Sequence, residues 1–159
     1  MTDLLITPAL NAHLLATAEE RLPDGWWHPS GLFGCDRQAV YQVRGTPESD
    51  PKQGEDYRPL AMGKALHTLV QAAVKPGDRI VRAWHEVKVR IPALRVTGSA
   101  DSLVEIRVVT EDGEWLEYEV EEFKSTKSIA LKYAKGDKYP KQEHIRQALT
   151  YVYGMRYFP

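Results

Sequence analysis

Hydrophobic positions along this chain change their period near residue 78. Before it, apolar residues recur every three or four positions; after it they alternate. Leu10, Leu14, Leu15 and Ala18 predict a helix over 8–22, closed by Pro23-Asp24-Gly25. Trp26-Trp27-His28-Pro29 reads as a loop, and Ser30 as the cap of a helix reaching about Val43. Residues 44–59 are polar and hold Pro47, Pro51 and Gly54, which predicts a surface loop. Leu60, Ala61, Leu66, Leu69, Val70 and Ala73 line a helix over 60–74, followed by a turn at Pro76-Gly77-Asp78.

Strand spacing then takes over. Residues 80–91 alternate, and 94–109 continue as strand to a hairpin turn at Glu111-Asp112-Gly113. The clearest strand is 115–124. A short helix is expected over 125–134, a loop over 135–140 and a last helix over 142–157. Three helices, a run of strands and a helix predict an α+β fold: a mostly antiparallel mixed sheet flanked by helices. At 159 residues the expectation is one domain over 1–159, helical over 1–75, with the sheet and its helices over 76–159.

Composition narrows the classes. A hydrophobic fraction of 43% supports a core, and no apolar run approaches the ~18 residues of a membrane span. The start, Met1-Thr2-Asp3-Leu4-Leu5, lacks the basic and apolar regions of a signal peptide, so a cytoplasmic, nucleoid-associated protein without membrane contact is expected. Cys35 is the only cysteine, which excludes an internal disulfide and a cysteine-ligated zinc or iron–sulfur centre built from this chain alone. With no neighbouring motif to activate it, Cys35 reads as a small apolar residue. Net charge is only −1, but its distribution is uneven. Residues 101–122 hold nine acids and one base; residues 123–146 hold seven bases and two acids. Such neighbouring blocks suit two solvated faces or a metal site beside a phosphate track.

Candidate chemistry follows from strand alternation. Over 116–124, Leu116, Tyr118, Val120, Glu122 and Lys124 share one face, apolar until its last two members. A carboxylate and a lysine about 7 Å apart then stand at the edge of a buried surface. Glu117, Glu119 and Glu121 fall on the other face and read as solvated, so Glu122 is the functional acid. Asp101 follows Gly98-Ser99-Ala100 inside a strand, where aspartate is disfavoured unless paired. His67 lies one helical turn after Gly63, and Gln147 one turn before Tyr151.

In order and residue type these pieces resemble the RecB-type nucleases of the PD-(D/E)XK superfamily. The matching stretches are Gly63-Lys64-Ala65-Leu66-His67, Gly98-Ser99-Ala100-Asp101, Glu122-Phe123-Lys124 and Gln147-Ala148-Leu149-Thr150-Tyr151. Residues 30–41 resemble the family's opening helix, and coverage runs from about residue 28 to 157. Ala100 stands where the superfamily name has proline. The resemblance implies a restriction-endonuclease-like core and a divalent-metal-dependent DNA exonuclease acting in recombination, repair or end processing. It implies His67, Asp101, Glu122 and the Phe123 backbone carbonyl as ligands of Mg²⁺ or Mn²⁺, which suit hard oxygen donors and one imidazole. Asp101, Glu122 and Lys124 would be catalytic, with Gln147, Tyr151 and Lys127 on the substrate DNA. The clustered cysteines of the iron–sulfur branch are absent, so no such cluster is expected. Relatives usually continue past the point where this chain ends, at Tyr157-Phe158-Pro159, so either a trimmed fold or a fragment is expected. A trimmed sheet edge pairing with another copy, a homo-oligomer and a recombination or replication partner protein are expectations of the same kind.

Two further readings stand beside this one. Trp26 and Trp27 either stack on a DNA end or pack their loop against the core. The whole chain could instead be a catalytically weak or inactive DNA-binding accessory with the same fold. The 44–59 loop is the expected place for substrate gating. The face assignment makes a sharp prediction: Glu122→Ala abolishes metal-dependent DNA cleavage, while Glu121→Ala leaves it nearly intact. Equal losses in a nucleotide-release assay contradict the assignment.

Overall fold

Alternating apolar residues commit much of 80–121 to strands, and the middle one is buried on both faces from Ala100 to Ile106. The computed structural model describes residues 6–18, 23–125 and 140–156. Strand β1 spans Ile80–Ile91, β2 Val96–Thr110 and β3 Gly113–Glu121, and they form an antiparallel sheet in the order β1-β2-β3. The chain is thus α+β, with helices packed against a three-stranded sheet. The one parallel pairing among the described residues is an isolated bridge between Trp27 and Val96. The Trp27 N–H donates to the Arg95 carbonyl at 2.8 Å and its carbonyl accepts from Thr97 N–H at 2.9 Å. Trp27 also packs on the core, which settles how its loop is held.

Turns fix the register. Between β1 and β2 the chain makes a short 3₁₀ turn at Pro92–Leu94, and Arg95 takes φ of 51° to close it. Between β2 and β3, Glu111 and Asp112 form a two-residue turn, with Thr110 paired to Gly113. Val87, Val89 and Ile91 face Ala100, Gly98 and Val96 across the first hairpin, and Ser102 and Glu105 face Glu121 and Tyr118 across the second. The ladder stops there. The next pair would join Asp101 to Glu122; instead the Asp101 carboxylate accepts the Phe123 N–H at 2.6 Å. The expected strand over 115–124 therefore ends at Glu121, three residues early.

The buried face expected along β3 is also shorter. Leu116 and Tyr118 are exposed, at 49% and 62%, and cover begins only at Val120. Glu117 and Glu119 are exposed as expected, but Glu121 is half-buried. β3 lies at the edge of the sheet, and among the described residues too little packs over its outer half to bury it.

Helix α1 spans Ile6–Ala16, starting before the expected residue 8; residues 19–22 of the expected helix lie outside the described residues. The single helix expected from Ser30 to Val43 is two: α2 at Pro29–Leu32 and α3 at Asp36–Arg44. Pro29, not Ser30, starts the first, since its fixed φ suits the first helical position. Gly45 ends α3 in the left-handed region at φ 66°, where its N–H reaches the Gln42 and Tyr41 carbonyls. Helix α4, Tyr57–Ala73, begins three residues before the expected Leu60 and tolerates Pro59 in its first turn. A 3₁₀ turn at Gly54–Asp56 leads into it, so the expected 44–59 loop is partly structured. None of α4 is fully buried; its apolar stripe, including Leu66 and Leu69, stays largely exposed. Helix α5 spans Gln142–Met155. The expected short helix over 125–134 and loop over 135–140 fall almost entirely outside the described residues, as does Lys127. Among the described residues no helix is long and apolar enough to cross a membrane.

Among the described residues the core cluster under α5 is Val89, Ile91, Val96, Ala100 and Tyr151, with Trp27, Val120 and Met155 against it, and Val87, Leu103, Val104 and Ile106 are buried further along the sheet. Two glycines let α5 settle on the sheet. A Cβ at Gly98 would press on the Tyr151 ring at 3.0 Å, and one at Gly154 would overlap Val89 Cγ1. Helix propensity alone favours Gly154→Ala by about 1 kcal/mol. Overpacking a dense core costs about 1–3 kcal/mol and decides the sign. Gly154→Ala is therefore expected to lower the urea midpoint; a raised midpoint contradicts the close approach.

Candidate active site

Asp101 organises the site because it is an acid in the middle of a buried strand. It is 8% exposed, between the fully buried Ala100 and Ser102. Its Oδ2 takes the Phe123 N–H and its Oδ1 lies 3.4 Å from His67 Nδ1. The Asp101 carbonyl accepts from Gln71 Nε2 at 3.0 Å. His67 and Gln71 are one turn apart on α4 and present the same face. Gly63, one turn earlier, continues that stripe, and a Cβ there would meet Ser125 Oγ at 3.2 Å. Small size at Gly63 thus lets the chain leaving β3 run beside α4. The His67 ring stands edge-on to Phe123, centroids 6.0 Å apart.

Glu122 forms the second half. Beyond the ladder its side chain, only 8% exposed, turns inward. Lys124 Nζ is 2.6 Å from Glu122 Oε1, and Gln147 Nε2 donates to the same oxygen at 2.6 Å. Gln147 Nε2 also lies 3.4 Å from the Tyr151 hydroxyl. Gln147, Tyr151 and Gly154 share the buried stripe of α5, which explains why a polar pair sits 5% and 3% exposed. Glu122 Oε2 is buried and has no hydrogen-bond partner among the described residues. Burial pushes the Glu122 carboxyl above the usual range; the Lys124 hydrogen bond and charge oppose this, Asp101 repels, and His67 attracts.

Glu105 supplies the contrast. It is 2% exposed yet fully engaged by Arg82 at 2.6 and 3.1 Å and by the Tyr118 hydroxyl at 2.8 Å. Hydrogen bonding to Arg82, then Tyr118, holds its carboxyl below the ordinary range. Every oxygen of Glu105 is answered, as a structural acid requires, whereas Glu122 keeps one oxygen available to a ligand.

His67, Asp101, Glu122, Phe123, Lys124, Gln147 and Tyr151 thus converge from four separate segments. Among the described residues, however, no three His, Cys, Asp or Glu side chains form a ready metal cage. Asp101 spends its oxygens on Phe123 and His67, so a cation gains Glu122 first. The unpaired Oε2 fits a hard divalent ion, and Asp101 and His67 are the adjoining donors.

Several residues escaped the sequence reading. Glu86 adopts φ of 51° between the His85–Ser102 and Val87–Ala100 pairs. It accepts from Gln71 and Ser99, both at 3.0 Å, and those bonds, Gln71's foremost, lower its carboxyl against the cost of burial. The helical spacing of Gln71 from His67 was a readable signal; the left-handed Glu86 was not. Glu121 also has a buried, unpartnered Oε2, and burial raises its carboxyl. A hollow of about 610 Å³ opens beside Glu122 and Lys124, walled by α5.

The raised Glu122 carboxyl sets a pH dependence. Its folded pKa exceeds its unfolded one, so its stabilising contribution is full at low pH and is lost as pH rises through the folded value. Glu122→Gln removes that loss. In EDTA the variant is expected to melt above the native protein at pH 8, the gap closing near pH 4, about the free glutamate value. A variant less stable at pH 8 contradicts the burial. No protein-family model matches the chain, and neither does any curated protein or solved structure.

Proposed function

We propose that this chain is a divalent-metal-dependent deoxyribonuclease of RecB-like type, hydrolysing phosphodiester bonds at DNA ends. One observation carries the proposal: a buried carboxylate, Glu122, with one oxygen unpaired, lies between a His67–Asp101 pair and a Lys124–Gln147–Tyr151 group. The motif resemblance supports it, since the four short matches that suggest the family are the four segments that meet there. The restriction-endonuclease-like core belongs to the same proposal.

Mg²⁺ or Mn²⁺ would be held by Glu122, Asp101, His67 and the Phe123 carbonyl. When bound, such an ion acidifies water and offsets charge on the phosphoryl oxygens. The chain's own residues do the rest. Gln147 fixes one Glu122 oxygen and leaves the other, Oε2, available to hold the ion. Lys124 is bonded to that fixed oxygen and 33% exposed, so its ammonium reaches both the carboxylate and an arriving phosphate. There it neutralises the scissile phosphate or orients the attacking water as a point charge. Water adds to phosphorus, the P–O bond to the leaving sugar breaks, and the proton passes to the departing oxygen through solvent.

A second reading is a DNA-binding accessory that turns over weakly or not at all. It is favoured by the engagement of both Asp101 oxygens, one by the Phe123 N–H and one by His67. End-labelled linear duplex separates the two. The nuclease reading expects acid-soluble label in Mn²⁺ or Mg²⁺ and none in EDTA, with Lys124→Ala slowing release about 100-fold or more. DNA binding without release under any metal would move the assignment to the accessory.

A further inference from the structure

Helix α5 carries two stripes. Gln147, Tyr151 and Gly154 face inward; Lys141, His144, Ile145, Ala148 and Leu149 follow i, i+3, i+4, i+7 spacing on the neighbouring face. That second stripe walls the hollow of about 610 Å³, whose opposite wall is Val120, Glu122 and Lys124. A volume of this order lies within the ~300–1,000 Å³ typical of small-molecule sites and is far too small for a duplex. Its walls are mostly apolar: Val120, Ile145 and Leu149. Lys124 and Lys141 bring positive charge to its lining, beside His144, whose imidazole is held towards the neutral form by burial and the nearby Lys124 charge. A smaller hollow of about 180 Å³ lies alongside, and Lys124 and His144 line both.

The ligand this suits has a flat apolar body joined to an anion, continuing past the anion into a second space. We infer that the larger hollow binds the single terminal nucleotide of a DNA strand, base between Val120, Ile145 and Leu149, phosphate against Lys124 and Lys141. This deepens the nuclease proposal and rests on it for the nature of the strand. The next phosphodiester then lies at the partition marked by Lys124 and His144, beside Glu122. Glu143 competes for these groups: its Oε1 is 3.4 Å from Lys141 Nζ and 3.9 Å from His144 Nε2. Lys141 and Glu143 are about half exposed, at 52% and 43%, so their pairing is worth little and yields to a phosphate. A terminal base lodged there has left its partner, which makes the site a single-strand reader at a frayed end.

The test is equilibrium binding in EDTA, where no cleavage intervenes, with thymidine 5′-monophosphate, thymidine and a thymidine tetranucleotide as probes. Both phosphorylated probes are expected to bind and to compete, and thymidine to bind roughly tenfold more weakly, the worth of a charged hydrogen bond. Ala148→Trp fills the hollow and should abolish binding of the monophosphate while keeping a cooperative melt. Should that variant not fold, Lys141→Glu, on the exposed rim, should weaken the monophosphate roughly tenfold without touching the core. Unchanged affinity in either folded variant, or thymidine binding as well as its phosphate, overturns the site. Monophosphate binding without tetranucleotide competition overturns the strand-end assignment. If the native chain neither cleaves DNA nor binds Mn²⁺, yet Ala148→Trp still loses the nucleotide, the nuclease proposal fails and the nucleotide site stands.

Discussion

The hydrogen bond from the Phe123 N–H to the Asp101 carboxylate, 2.6 Å long, decides where β3 stops and how residues 122–124 leave the sheet. A side chain has taken the place of a ladder contact. Glu122 and Lys124 are thereby freed from strict alternation and turn towards α5. On the other side of Asp101, Glu86 departs into the left-handed region and is held there by Gln71 and Ser99. Both neighbours of Asp101 across the sheet thus give up regular pairing at the same level. The left-handed Glu86 costs of order 1–3 kcal/mol and persists because its surroundings over-determine it.

Helices hold the arrangement from two directions. The Gly63–His67–Gln71 stripe of α4 reaches Asp101 and Glu86, and the Gln147–Tyr151–Gly154 stripe of α5 reaches Glu122 and the core cluster. Gly98 and Gly154 set the distance of α5 from the sheet, and that distance brings Gln147 within 2.6 Å of Glu122. Stability and site geometry therefore share the same few contacts. Burying Glu122 with one oxygen unanswered opposes folding, as expected of a group kept for binding rather than for stability.

Local pattern carried most of the fold. Ile80–Ile91 was legible to both ends because its alternation is uninterrupted and a proline follows it. Convergence of His67, Asp101, Glu122, Lys124, Gln147 and Tyr151 was legible only through the order of short motifs, since no single spacing reveals it. The end of β3 was not legible: it depends on a contact between residues 101 and 123, across a hairpin. Period-two reasoning over 116–124 pointed to Glu122, whose side chain does turn inward, but overstated the buried face. Alternation says which residues share a side and not whether anything covers it. Exposure of the α4 stripe is the same lesson for a helix. The start of α2 turned on Pro29 outranking Ser30 at the first helical position.

Whether Glu122 and Asp101 jointly receive a divalent cation is tested most directly by Mn²⁺ titration, followed as loss of the free-ion paramagnetic resonance signal. The native chain is compared with the Asp101→Asn/Glu122→Gln double variant. The asparagine amide would keep an oxygen for the Phe123 N–H, so the fold survives while both charges are lost. Saturable Mn²⁺ uptake by the native chain, absent from the double variant, is the predicted result. No saturable uptake, or equal uptake by both proteins, would contradict the account.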